Sequence, residues 1–135
     1  MAESRSHIIL VNCLVDWIAD ALLEGERGHI FVDNPDNLKQ MKPPRIGNFI
    51  PDVFVSTTKR YTCIIGEAKT SDDIDNQHTI QQIDTFLVKC GESGNSLFVF
   101  AVPWYRVALA ASLLDYRKHK IGLQCVNSKV LEKLP

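Results

Sequence analysis

The sequence predicts a single α/β domain spanning residues 1–135, with a mixed central β-sheet flanked by helices. Three observations lead there. Helix-period and strand-period segments follow one another in the order α-β-β-β-α-β-α-β. The run SLFVFAV at 96–102 is apolar almost throughout, the pattern of a strand covered on both faces. A chain of 135 residues, 45% hydrophobic and 23% charged, is an ordinary globule with little room for a second domain.

Residues 6–24 (SHIILVNCLVDWIADALLE) predict the first helix. Apolar residues recur at 8, 11, 15, 18 and 22, with a second row at 10, 14, 17 and 21, and Ser4 or Ser6 can cap the start. Asn12, Asp16 and Asp20 form a polar stripe on the other side, and Gly25 and Gly28 punctuate the end. Residues 29–33 (HIFVD) read as a short strand. Residues 34–48 hold three prolines and no periodicity, so they read as a long loop, a length usually reserved for function. Strands are expected at 49–56 and 61–68, joined by the polar turn Thr57-Thr58-Lys59-Arg60. A helix over 76–89 carries apolar residues at 80, 83, 86 and 87, and Gly91 and Gly94 are expected to end it. After the 96–102 strand, Pro103 opens a helix running to about Lys118, and IGLQCV at 121–126 is the expected last strand.

Composition excludes several classes. No apolar run approaches the ~20 residues of a membrane helix. The opening MAESRSHIILVNCLVDW shows no basic segment leading to a small-residue cleavage site, so no secretory signal is expected. Cys13, Cys63, Cys90 and Cys125 are widely spaced in apolar surroundings, which suits reduced thiols in a cytoplasmic protein. His7, His29, His78 and His119 have no short ligand spacing to them, and no phosphate-cradling glycine loop is present. Net charge is −1 but uneven: residues 1–36 carry two basic side chains against seven acidic ones, whereas residues 37–70 carry six basic against two acidic. The basic middle, with Lys42 and Arg45 in the 37–48 loop, is suited to phosphate.

The informative pattern is Pro51-Asp52, fourteen intervening residues, then Glu67-Ala68-Lys69. A hairpin turning at Thr58-Lys59 sets Asp52 opposite Ile65. Side chains alternate with period two, so Asp52 shares a face with Ile65, Glu67 and Lys69, and Asp52 and Glu67 become diagonal neighbours. Two carboxylates that close remain ionised readily only with a cation between them. Hard oxygen ligands favour Mg²⁺, with Mn²⁺ as a substitute, and the Ala68 carbonyl is a further candidate ligand. Lys69 is then placed to contact a phosphate or to orient and help deprotonate a water.

This combination, on a hairpin between two helices, resembles the PD-(D/E)XK nuclease superfamily, which includes many restriction endonucleases, archaeal Holliday junction resolvases and phage-type exonucleases. The resemblance covers residues 6–102 in element order and implies a restriction endonuclease-like αβββαβ core. It also implies a magnesium-dependent phosphodiester hydrolase acting on nucleic acid, with DNA the expected substrate. Gln82-Ile83-Asp84-Thr85-Phe86 resembles the QxxxY element of that family, Phe86 replacing tyrosine, and implies that Gln82 positions phosphate or water. His78 stands one turn before Gln82 and is a further candidate. The family often has a glutamate on the first helix. Here the matching position is His7, which departs from the pattern.

The resulting expectation is a small metal-dependent endonuclease in which Asp52 and Glu67 hold metal, Lys69 acts at water and phosphate, and Gln82 positions substrate. A homodimer is expected, because a 135-residue subunit offers little surface for gripping duplex from two sides. The alternative is a catalytically inactive member of the same architecture that binds nucleic acid or protein. Trp104 and Tyr105 are read as packing on the sheet at a helix start, with base stacking as their other use.

Overall fold

Ser4 starts the first helix, its side chain accepting the His7 N–H at 3.1 Å and satisfying a donor the first turn leaves bare. Helix α1 (Arg5–Leu22) buries Leu10, Val11, Leu14, Ile18 and Ala19 in one stripe, while Asn12, Asp16 and Asp20 face solvent. The structure, a computed structural model, describes residues 4–33 and 41–133, so residues 34–40 of the expected loop lie outside the described residues.

Five strands form one sheet whose spatial order is the chain order: β1 (Phe31–Val32), β2 (Val53–Ser56), β3 (Cys63–Ala68), β4 (Ser96–Pro103) and β5 (Asn127–Lys133). The first three make an antiparallel meander. The last three run parallel, connected through α2 (Gln77–Glu92) and α3 (Val107–Lys120). Both crossovers advance in the same direction across the sheet, so the same right-handed sense places α2 and α3 on one face. Helix α1 covers the other. The protein is thus a single-domain α/β fold, a mixed five-stranded sheet between three helices.

Alternation along the strands divides the core in two. Leu97, Val99 and Ala101 of β4 meet α1, together with Val53, Val55, Ile64 and Ala68. Phe98, Phe100 and Val102 meet α2 and α3, together with Phe54, Cys63 and Ile65. Arg117 of α3 grips Asp84 of α2 through two hydrogen bonds of 2.9 and 2.6 Å, fixing the two helices to each other. No helix of the described residues is long and apolar enough to cross a membrane.

Three expectations need correction. The hairpin turns one residue later than expected: the Thr58 N–H donates to the Tyr61 carbonyl, and the Thr58 hydroxyl oxygen accepts from the Arg60 and Tyr61 amides. The hairpin therefore turns at Lys59-Arg60, and Phe54, not Asp52, lies opposite Ile65. Residues 121–126 are successive turns rather than a strand. Their Ile121, Leu123 and Val126 side chains close the core between α2 and α3, while β5 is the more polar stretch that follows, with Asn127, Lys129 and Glu132 exposed. Gly91 lies inside α2 instead of ending it, and its missing side chain makes room for Leu123, which a Cβ there would meet at 3.0 Å.

Gly66 has the larger consequence. A Cβ at this position would lie 2.8 Å from Leu14 Cδ2 and 3.2 Å from Val53 Cβ, so α1 sits as close to β3 as it does only because residue 66 lacks a side chain. Leu14 and Val53 are fully buried and have nowhere to retreat. Gly66→Ala is expected to destabilise the fold by ~1–3 kcal/mol in denaturant titration. Unchanged stability would show that α1 is free to shift.

Candidate active site

The end of the β2–β3 hairpin carries the acidic pair. Continuing the register beyond the Val53–Gly66 pair brings Asp52 level with Glu67, directly across rather than diagonal. The two-residue shift from the expected register preserves side-chain parity, so both acids still point to the α2 side with Phe54 and Ile65. They are 6% and 3% exposed.

Each carboxylate is held by the other strand's backbone. The Asp52 N–H donates to Glu67 Oε1 at 3.1 Å, and the Ala68 N–H donates to Asp52 Oδ2 at 2.8 Å. His7, one turn into α1, brings Nε2 within 3.2 Å of the same Asp52 oxygen. Lys69, just past the end of β3, places Nζ 3.5 Å from Glu67 Oε2. The Lys69 amide continues the ladder by donating to the Ala101 carbonyl, which fixes the start of its side chain relative to β4. Four expected residues therefore meet at the carboxyl end of β3, where open α/β sheets characteristically place their ligands.

Burial is the largest force on Glu67 and pushes its carboxyl well above the ordinary range; the Asp52 charge adds to this, and Lys69 opposes it without cancelling it. Such a pair is a favourable place for a divalent cation, which would relieve the repulsion that the protein alone does not. The oxygen donors fit Mg²⁺, which binds through one or two carboxylates and fills its remaining positions with water and phosphate. Among the described residues no group of three or more His, Cys, Asp and Glu side chains converges as a complete metal cage. Ala68 takes part through its amide, which orients Asp52.

The other expected residues divide. Gln82 is buried on the sheet-facing side of α2, 8% exposed, and its Oε1 has no hydrogen-bond partner. Phe86, one turn on, is fully buried against Phe98 and Phe49. His78 is exposed in the first turn of α2, and its ring meets Phe49 edge-on at 5.5 Å. Lys42 and Arg45 are exposed, and Arg45 lines a shallow cleft beside α2 with Asp84, Lys89 and Glu92, away from the acidic pair.

Two features were not anticipated. Asp33 follows β1, and its N–H donates to the Asp52 carbonyl at 2.9 Å, placing a third acid level with Asp52 on the neighbouring strand. The signal was present in the pairing of two similar segments, FVD and PDV, but a two-residue strand is too short to establish register alone. Secondly, Trp104 and Tyr105 do not pack on the sheet as expected; they are 52% and 57% exposed. At the opposite end of β3, Cys63 and Cys90 are buried as expected. The hydrogen bond with Cys90 lowers the Cys63 thiol to about 6 against the effect of burial, and the same contact raises Cys90. Cys125 is exposed rather than buried.

The raised Glu67 carboxyl has a measurable consequence for the metal-free protein. A group that binds its proton more tightly when folded contributes stability that is full below the ordinary value of 4.5 and is lost as pH rises through the folded pKa. Glu67→Gln keeps an oxygen for the Asp52 N–H and removes the charge. In EDTA it is expected to melt a few degrees above the parent at neutral pH, with the gap closing as pH falls toward 4.5. A variant that melts lower at neutral pH would contradict the electrostatic account.

Comparison of the chain with family models, with curated proteins and with solved structures gave no match.

Proposed function

We propose that the protein is a divalent-metal-dependent nuclease of the PD-(D/E)XK kind, an endonuclease acting on DNA. The observation that carries this reading is the convergence of Asp52, Glu67 and Lys69 at one strand end, with both carboxylates held by backbone donors and Lys69 3.5 Å from Glu67. Asp52 and Glu67 would hold Mg²⁺ or Mn²⁺, the Ala68 carbonyl being a further ligand. Bound metal supplies Lewis-acid polarisation of the phosphoryl oxygen and makes a coordinated water more acidic.

The chain's own groups have distinct tasks. Lys69 Nζ lies 3.5 Å from Glu67 Oε2, and with a cation held on that carboxylate its ammonium would be free to donate to the phosphate or to the attacking water. His7 donates to Asp52 from the α1 side and holds that carboxylate in one orientation. Gln82 offers an unpartnered buried oxygen on the α2 side, suited to accepting a hydrogen bond from a water. Hydrolysis adds water across one P–O ester bond, leaving a phosphate monoester and an alcohol that receives the remaining proton.

Incubation of supercoiled plasmid and labelled linear and branched oligonucleotides with Mg²⁺ or Mn²⁺ is expected to give cleavage that EDTA abolishes. Asp52→Asn, Glu67→Gln and Lys69→Ala are each expected to lower the rate ~100-fold or more while leaving the circular dichroism spectrum unchanged. Full activity in any one of them would overturn the assignment.

A second reading has its own support. His7 stands where a further acid would complete the metal site, and the described residues contain no three-group cage. A catalytically inactive nucleic-acid-binding or interaction module on this fold would show no rise in melting temperature with Mg²⁺ or Mn²⁺, whereas the nuclease is expected to show one. The proposed enzyme works as a homodimer, and a monomeric sedimentation profile at working concentration would remove that element.

A further inference from the structure

We infer that the cleft between the start of α1 and the end of β4 receives an unpaired nucleobase, so that the substrate is a strand whose bases are not all stacked in duplex: single-stranded, frayed or branched nucleic acid. The inference rests on the nuclease reading for its placement of the phosphate, and deepens it by naming the form of the strand.

Ser6, Thr70, Ser71, Pro103, Trp104 and Tyr105 line a cleft of about 290 Å³. Two of these adjoin the acidic pair through the chain itself: Ser6 precedes His7, which reaches Asp52, and Thr70 follows Lys69, which reaches Glu67. Ile9 and Leu10 of α1 complete the lining, so the cleft opens on the α1 side of the strand end and borders the acidic pair through these chain neighbours. The Lys69 amide donates to the Ala101 carbonyl, three residues before Trp104, so a nucleotide with its phosphate at Lys69 would direct its base toward that ring. The volume lies at the bottom of the range for small-ligand pockets. It suits a single planar base, and a base of a duplex would have to be extruded to enter it.

The chemistry of the lining agrees. Trp104 and Tyr105 stand perpendicular, 83° apart with centroids at 5.7 Å, so neither ring stacks flat on the other. The Arg106 guanidinium lies 5.9 Å from the centre of the Tyr105 ring, adding positive charge beside the aromatic pair. Large aromatic side chains left more than half exposed next to hydroxyl groups and a cation form a stacking platform with polar edges, the combination by which sequence-tolerant single-strand sites work. The hydroxyls of Ser6, Thr70 and Ser71 can donate to or accept from base edges and sugar oxygens.

The chain has two tryptophans, so Trp17→Phe leaves Trp104 as the sole indole reporter. In EDTA, titration of that protein with a thymidine homo-oligonucleotide is expected to quench Trp104 fluorescence, while an abasic strand of equal length and a blunt duplex do not. Trp104→Leu, which keeps apolar bulk, and Tyr105→Ala are each expected to weaken single-strand binding roughly ten-fold by anisotropy with a labelled strand. Equal binding of the abasic strand, absence of quenching, or unchanged affinity in both variants would overturn the inference. The two proposals fail separately. Metal-dependent cleavage that is lost in Lys69→Ala but indifferent to Trp104→Leu removes the base cleft and keeps the nuclease. Base-dependent quenching without cleavage in any metal keeps the cleft and removes the nuclease.

Discussion

Two buried carboxylates facing each other at the end of a hairpin are the constraint around which the rest of this structure is arranged. Asp52 and Glu67 repel, and burial together with that repulsion holds the Glu67 carboxyl well above its ordinary range. The backbone opposes this by an exchange across the strands: one acid's own amide serves the other acid, and the residue after Glu67 serves Asp52 in return. His7 and Lys69 then approach from opposite sides, each beside one acid. The exchange works only while β2 and β3 stay in register, so the hydrophobic core that fixes the register is a component of the site.

That core explains why a helix contributes to a site built on strands. With Leu14 seated over Gly66, α1 lies close enough to the sheet for its first turn to overhang the strand end. The other face is held by different means. The row of Phe54, Phe98 and Phe100 separates α2 from the sheet by full aromatic side chains, and the Arg117–Asp84 clamp keeps α2 and α3 together. The sheet thus carries a close helix on one side, which brings His7 to Asp52, and a spaced pair on the other, which carries Gln82.

Much of this was legible in the sequence, and the reasons are specific. The shared face of Asp52 and Glu67 followed from side-chain alternation alone and survived an error of two residues in register, because such an error does not change parity. The burial of Gln82 was not legible, since the same i, i+4 row runs from exposed His78 to buried Phe86. Apolar content does not mark the last strand, because an edge strand with one covered face is half polar and the apolar residues before it close a helix-facing core. Asp33 was missed because a two-residue strand has no period to read. The exposure of Trp104 and Tyr105 could not be read either, since a short helical turn between β4 and α3 turns their rings outward, and residue type alone favoured packing.

The tip of the hairpin, Lys59-Arg60, is exposed and polar, the kind of surface turn in which related proteins ordinarily gain and lose residues freely. Here that freedom is quantised. Changing the turn by an even number of residues can be absorbed by sliding one strand along the other with both acids still on the α2 side. Changing it by an odd number, without a compensating bulge, carries one acid through the sheet to the α1 side, where Leu14 and Gly66 are already in contact. A loop that touches none of the candidate site thus governs it through arithmetic, and its tolerance to insertion is set by whether the inserted length is odd or even.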